Sequence, residues 1–208
     1  CSFHETKNII SGEGGALLVN DEKFIERAEI IREKGTNRNK YFRGQVDKYT
    51  WVDIGSSYMP SDIIAAFLYA QMEKAEQSMA KRNRIYNLYM RALKPLAEKR
   101  LVQIPCIMDD CSVNGHIFYI VTRSLRERKE LTAFLQERGI SAIFHYVPLH
   151  SSSAGKKYGR INGTLKVTNR ISHCLLRLPL YYGMSEKDVH TVTESIKIFY
   201  NRLDHTKK

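Results

Sequence analysis

CSFHETKNIISGEGGALLVN, residues 1–20, reads as two short extended segments around a tight turn. Gly12, Gly14 and Gly15 supply the backbone freedom that a sharp reversal needs, and ALLVN forms the second strand. Lys7 lies in the turn ahead of the glycines, where a rigid scaffold can project its amine. The glycine run is not a phosphate-cradling loop, since no Lys-Ser/Thr pair follows it. Asn20 and Asp21 can then cap a helix whose apolar positions Phe24, Ile25, Ala28 and Ile31 recur at helical spacing, ending near Lys34 and Gly35.

Residues 36–58 are rich in Asn, Arg, Gly and aromatic side chains without a steady period, which predicts a long, substrate-facing loop. Pro60 suits the first turn of a helix with Ile63, Ile64, Phe67, Leu68 and Met72 on its apolar face. Helicity continues toward Leu93, and the polar residues 76–84 mark a hinge between two domains, residues 1–78 and 79–208. A strand over 116–122, a helix over 125–137 and a strand over 140–144 give an α/β alternation. Ser185 and Glu186 open a final docking helix to Leu203, with Val189, Val192, Ile196 and Phe199 inward.

A chain of 208 residues has room for one substantial core or two modest ones. No apolar run approaches the roughly 20 residues of a membrane span. The start, CSFHETKN, lacks an initiator Met and a signal pattern, and reads as a start in mid-protein. Cys1, Cys106, Cys111 and Cys174 form no CxxC pair and match no zinc spacing, so no metal is expected and the thiols read as reduced, in cytoplasm. The formal charge is +11, with the basic residues spread out. This reads as a solvated surface whose acidic counterpart lies in a missing segment, with neither nucleic acid nor membrane as partner. A small anion such as a nucleotide diphosphate remains compatible.

SFHETKN followed by SGEGGALLVND resembles the active-site signature of the DegT-type nucleotide-sugar aminotransferases, a branch of the fold-type I pyridoxal-phosphate enzymes. The resemblance continues through REKGTNRNKYFRGQVDKYTWVDIGSSYMPSDIIAAFLYAQ, HIFYIV, FHYVPLH and LLRLPLYY, covering nearly the whole chain. GTNR, FRGQVDKYTW and DIGSSY look most like the subfamily that makes dTDP-4-amino-4,6-dideoxygalactose for enterobacterial common antigen. The implied fold is the C-terminal part of a fold-type I transferase: the end of the large domain plus the small α/β domain.

The resemblance also implies roles. Lys7 would be joined as a Schiff base to pyridoxal 5'-phosphate and then move protons as base and acid, which requires an amine held away from bulk water. Ser2 would hydrogen-bond the cofactor phosphate, while His4 stays outside the catalytic set. Many relatives carry a phosphate-binding Asn where this chain has Ser56 and Ser57, so either these serines substitute as donors or the contact is lost. His145, Tyr146 and His150 of FHYVPLH would approach the sugar nucleotide; Tyr49 and Trp51 could pack on its base or sugar, though for Trp51 burial in the core is the expectation. Arg38 and Arg43, with Lys34 nearby, would meet the diphosphate and the carboxylate of the amino donor. The implied reaction transfers the amino group of L-glutamate to C4 of dTDP-4-keto-6-deoxy-D-glucose in a homodimer. The pyridine-pairing aspartate, the ring-stacking aromatic and the Gly-Thr phosphate turn of the family precede the lysine, so the chain alone is expected to be inactive without a separate N-terminal half. A related dehydratase would carry His in place of Lys7. The alternative from another class is a non-catalytic nucleotide-sugar-binding or assembly remnant.

Overall fold

The computed structural model describes residues 1–205 and divides into two compact units, Cys1–Glu76 and Gln77–Lys208. The first unit opens with a backbone pairing of its own. Phe3 N donates to Gly14 O at 2.9 Å, Glu5 N to Gly12 O at 2.9 Å and Ser11 N to Phe3 O at 2.7 Å. ALLVN departs from the expected strand: residues 16–20 join no sheet among the described residues, and Leu17 and Leu18 are exposed. A strand needs a neighbour for its N–H and C=O groups, and no described segment lies alongside beyond Ala16.

Asp21 caps a 3-10 turn by accepting from Lys23 N, and α1 (Ile25–Arg32) follows. The chain leaves α1 through two left-handed residues, Lys34 and Gly35. Glycine is required at 35 because an added Cβ would lie 1.8 Å from Asp53 O. The expected loop contains a short helix, α2 (Arg38–Phe42), and returns to the end of α1: Val52 N donates to Gly35 O at 2.8 Å and Ser56 N to Ile31 O at 2.9 Å. α3 (Asp62–Glu73) starts one residue after its cap, Ser61, so Pro60 precedes the helix instead of opening it. The apolar face read for α3 is open, with Ile63, Phe67 and Met72 exposed.

The second unit holds the core. α4 (Ala75–Glu98) is separate from α3 and runs continuously through the polar stretch read as a hinge. β1 (Phe118–Val121), α5 (Leu125–Gln136), β2 (Ile143–Phe144), α6 (Ser153–Tyr158), α7 (Lys166–Cys174), β3 (Leu175–Leu178) and α8 (Glu186–His205) follow. The α/β class read from the sequence is the one observed. β3 lies between β1 and β2 and is antiparallel to both, with Phe118 opposite Leu178 and Ile143 opposite Arg177. β1 and β2 are therefore mutually parallel, joined through α5 over the top of a later strand.

Phe118 and Ile120 point with Leu176 and Leu178 into a core shared with Tyr89, Leu93, Leu131, Leu135 and Ile196. Tyr89 stacks on Phe118 at 4.9 Å and donates its hydroxyl to Pro179 O at 2.8 Å. Tyr200 donates to Glu127 Oε1 at 2.7 Å, while Arg123 Nε holds Glu127 Oε2 at 2.8 Å, so a buried carboxylate is paired on both oxygens. At the start of α8, Ser185 Oγ accepts from Asp188 N and Asp188 Oδ2 accepts from Ser185 N. The reciprocal capping partner is thus Asp188, not Glu186.

Candidate active site

Lys7 sits where the opening hairpin turns. Its backbone N donates to His4 O at 2.9 Å, and the flanking strands are close enough that a Cβ on Gly15 would lie 2.8 Å from Cys1 O. Ser11, buried below the turn, donates its hydroxyl to Glu13 O at 2.8 Å. The lysine is half-buried, and Nζ has no hydrogen-bond or ion-pair partner among the described residues. A rigid backbone thus presents an amine that nothing in the hairpin engages. Ser2 is on the same hairpin, bridged to Gly15; its Oγ accepts only a long contact from His4 N, 3.4 Å, which leaves its O–H free to donate.

His4, which the sequence leaves between supporting the pocket and packing against the following strand, braces the turn. Its Nδ1 accepts from Thr6 N at 3.2 Å and lies 3.1 Å from Thr6 Oγ1, and Nε2 is 3.5 Å from Glu13 Oε1. An acceptor Nδ1 places the neutral ring's proton on Nε2, toward that carboxylate.

Arg38 and Ser57 come together in a cavity of about 280 Å3, lined also by Arg32, Glu33, Lys34 and Tyr49. Arg38 Nη1 donates to Glu33 Oε1 at 3.0 Å and its guanidinium lies over the Phe42 and Tyr49 rings. Ser56 and Ser57 are strapped to the end of α1: Lys34 N donates to Ser56 O at 3.0 Å and Ser57 bridges Glu33. Arg43 is placed differently. Its fork grips Glu29 at 2.8 and 2.7 Å, and that hydrogen-bonded pairing holds the Glu29 carboxyl below its ordinary range. Any other anion at Arg43 must displace this carboxylate. Trp51 and Tyr49 are exposed, so the core burial that large aromatics usually find is absent at both.

In the second unit, His145 and Tyr146 line a cavity of about 220 Å3 with Arg128, Ser151, Ser172 and His173. Their rings pack at 5.1 Å. His145 Nδ1 is buried without a hydrogen-bond partner, and burial first, then the charge of Arg177, lowers its pKa from the usual histidine value. His150 is turned to α7, where Nε2 meets Asn169 Oδ1 at 2.8 Å. Arg128 and His173 join this cavity through α5 and α7 from 16 and 29 residues away from Phe144, a proximity that no local pattern encodes. Among the described residues no cluster of His, Cys, Asp or Glu could hold a metal.

The first unit thus carries an unengaged amine on a stiff hairpin, with hydroxyl and guanidinium donors at Ser2 and Arg38. The chain belongs to the DegT/DnrJ/EryC1/StrS aminotransferase family, whose model matches residues 1–197. It is 25% identical over 209 residues to the dTDP-4-dehydro-2,3,6-trideoxy-D-glucose 4-aminotransferase of Saccharopolyspora spinosa, covering 98% of this chain and 52% of that protein. Among solved structures it is similar to a DegT DnrJ EryC1 StrS aminotransferase from Brucella abortus, with a TM-score of 0.80 and 28% identity over 95% of this chain and 49% of that one. It also shares its fold with the sugar aminotransferase Spr1654 from Streptococcus pneumoniae in its PLP form, TM-score 0.74 and 20% identity over 97% and 51% of the two chains. The chain therefore spans about half the length of the relatives it matches. Pyridoxal phosphate is the cofactor this membership implies, and the unengaged Lys7 amine and free Ser2 hydroxyl suit its aldehyde and phosphate.

Proposed function

We propose that this chain supplies the lysine-bearing part of a pyridoxal-phosphate-dependent enzyme that transfers the amino group of L-glutamate to C4 of dTDP-4-keto-6-deoxy-D-glucose, giving dTDP-4-amino-4,6-dideoxygalactose. The observation that carries the reading is Lys7, an amine without a partner on a hairpin braced by His4 and Ser11. The GTNR, FRGQVDKYTW and DIGSSY stretches support the product, and a relative named for a dTDP-4-dehydro sugar supports the nucleotide and the carbon.

When bound, pyridoxal phosphate supplies the electron sink that stabilises negative charge on the reacting carbon. Lys7 Nζ would take a proton from the substrate carbon that bears the nitrogen and deliver it to the cofactor carbon in the first half-reaction, and carry it in the opposite direction in the second, so one amine would serve both. Ser2 Oγ donates to the phosphate, with Ser56 and Ser57 as further donors. Arg38 receives a carboxylate or diphosphate oxygen, and Arg43 joins it by releasing Glu29. His145, Tyr146 and His150 orient the sugar. The enzyme acts as a cytoplasmic homodimer; its four free thiols suit a reducing compartment. Because the chain spans half of its relatives' length, amino transfer requires the remaining portion and the chain alone is inactive.

The test is to co-express the chain with the portion of a family enzyme that it does not span, add pyridoxal phosphate, reduce with borohydride and map the labelled peptide. Label is expected on Lys7, and Lys7→Ala is expected to abolish both half-reactions. Label on another lysine, or amination retained without Lys7, refutes the proposal. Nucleotide-sugar binding with no label on any lysine favours the non-catalytic remnant instead.

A further inference from the structure

The positive charge is not evenly spread. Residues 138–185 contain seven Lys or Arg and no Asp or Glu, so most of the net +11 falls within one acid-free run. Outside that run, 26 Lys or Arg stand against 22 Asp or Glu, and several are paired: Arg27 with Asp53, Arg43 with Glu29, Arg84 with Glu186 and Arg126 with Glu130. Lys156, Lys157, Arg160, Lys166 and Arg170 are all exposed and have no carboxylate partner among the described residues. They lie on α6, on the connection after it and on α7. The His150 to Asn169 contact holds the turn before α6 against α7, so these elements form one surface region.

Apolar side chains stand among the cations. Leu149 is 84% exposed, Tyr158 77%, Val167 71% and Ile161 59%. This mixture discriminates between polyanions. A nucleic-acid backbone uses cations and can stack on tyrosine, but gains nothing from leucine, isoleucine or valine. An anionic bilayer uses both, because the cations meet headgroup charge while the aliphatic groups enter the boundary with the acyl chains. We propose that residues 149–170 form a surface that docks peripherally on an anionic lipid bilayer. No described helix is long and apolar enough to cross a membrane, and docking of this kind requires none. The proposal does not rest on the amino-transfer reading.

The experiment is co-sedimentation of the whole chain with vesicles of phosphatidylcholine alone and of phosphatidylcholine mixed with phosphatidylserine. Binding is expected to the mixed vesicles only, and to fall as salt shortens the screening length. At about fivefold per surface cation, K156A/K157A/R160A together weaken binding by about a hundredfold. L149S/V167S weakens it without changing the salt dependence, and K23A/K94A/R126A, which removes exposed cations elsewhere, leaves it unchanged. No binding to the mixed vesicles, or equal binding by the first triple variant, overturns the proposal. Retention on duplex DNA without retention on vesicles overturns it in favour of nucleic acid. Release from vesicles by free thymidine diphosphate overturns it too, since the cations then serve a soluble ligand.

Discussion

The two units differ in what holds them together, and hydrogen exchange should separate them. No apolar side chain within Cys1–Glu76 is buried; the buried residues there are Ser11, Glu33 and Gly35. Every buried apolar side chain of the described residues, from Ile85 to Tyr200, belongs to the other unit. Full burial of one such side chain contributes about 1.5–3 kcal/mol, the term that offsets the ordering of the backbone, and the first unit has no complete instance of it. Its ion pairs cannot substitute, because Arg27, Lys40 and Arg43 pair with Asp53, Glu26 and Glu29 in solvent, where salt screens them. In the isolated chain, amides of α1 and α3 should therefore open at a cost of about 2 kcal/mol or less, a protection of about 30-fold. Amides of β1, β3 and α8 should need about 5 kcal/mol or more, a protection above about 1,000-fold. Exchange followed by mass spectrometry resolves the two groups. Equal protection of α1, α3 and the central sheet in the isolated chain would refute the reasoning, and restoration of the first group on co-expression with the unspanned portion would support it.

Two further perturbations test the second unit. Tyr200→Phe removes the donor at 2.7 Å from Glu127 Oε1 and leaves that buried oxygen only a 3.5 Å contact from Arg123 N. At a cost of about 2 kcal/mol for a hydrogen bond to a buried charge, the melting temperature of a unit of about 130 residues should fall by roughly 7 °C by calorimetry; a change under about 1 °C contradicts the pairing. His145 is held below its ordinary value of 6.5, chiefly by burial and then by Arg177. As pH falls through 6.5 the unfolded chain takes up this proton before the folded chain does, so stability drops as pH falls and is free of this penalty above that value. Denaturant titrations at about pH 7 and about pH 5.5 should show this slope, and His145→Gln should remove it. Glu29, Asp188 and Glu194 are also lowered but from 4.5, 3.8 and 4.5, so their losses begin at lower pH.

Elements with local signals were legible. Asp21 and Ser185 announce their helices by capping chemistry, and apolar spacing gives α1 and α8 to within a few residues. β3 and α7 were not read. LLRL is a short apolar run that suits a strand or a helix equally, and its place between β1 and β2 is set by partners more than 30 residues away. The ALLVN strand failed for the opposite reason: its sequence is strand-like, but a strand needs a partner, and no described segment pairs with it beyond Ala16. The site divides in the same way. Lys7 and Ser2 came from resemblance to a motif, whereas the Glu33 to Arg38 pair depends on the left-handed turn at Lys34 and Gly35, which brings together residues at a spacing that no helix uses.

The orphan nitrogen of His145 links this fold to its chemistry. Nearly all buried polar groups find a partner, and only two buried side-chain atoms among the described residues do not: Asn83 Oδ1 on α4 and His145 Nδ1. The register of the sheet explains the second. Ile143 lies opposite Arg177, so the chain leaving β2 carries His145 past a guanidinium, whose charge opposes protonation of the ring. A ring kept neutral has one donor and one acceptor, and either tautomer can meet a hydroxyl, which itself donates and accepts. A ring that protonated readily would instead select a carboxylate or phosphate oxygen. On the proposed reading, the unpaired Nδ1 beside Tyr146 suits a sugar hydroxyl at this position better than a carboxylate or phosphate oxygen.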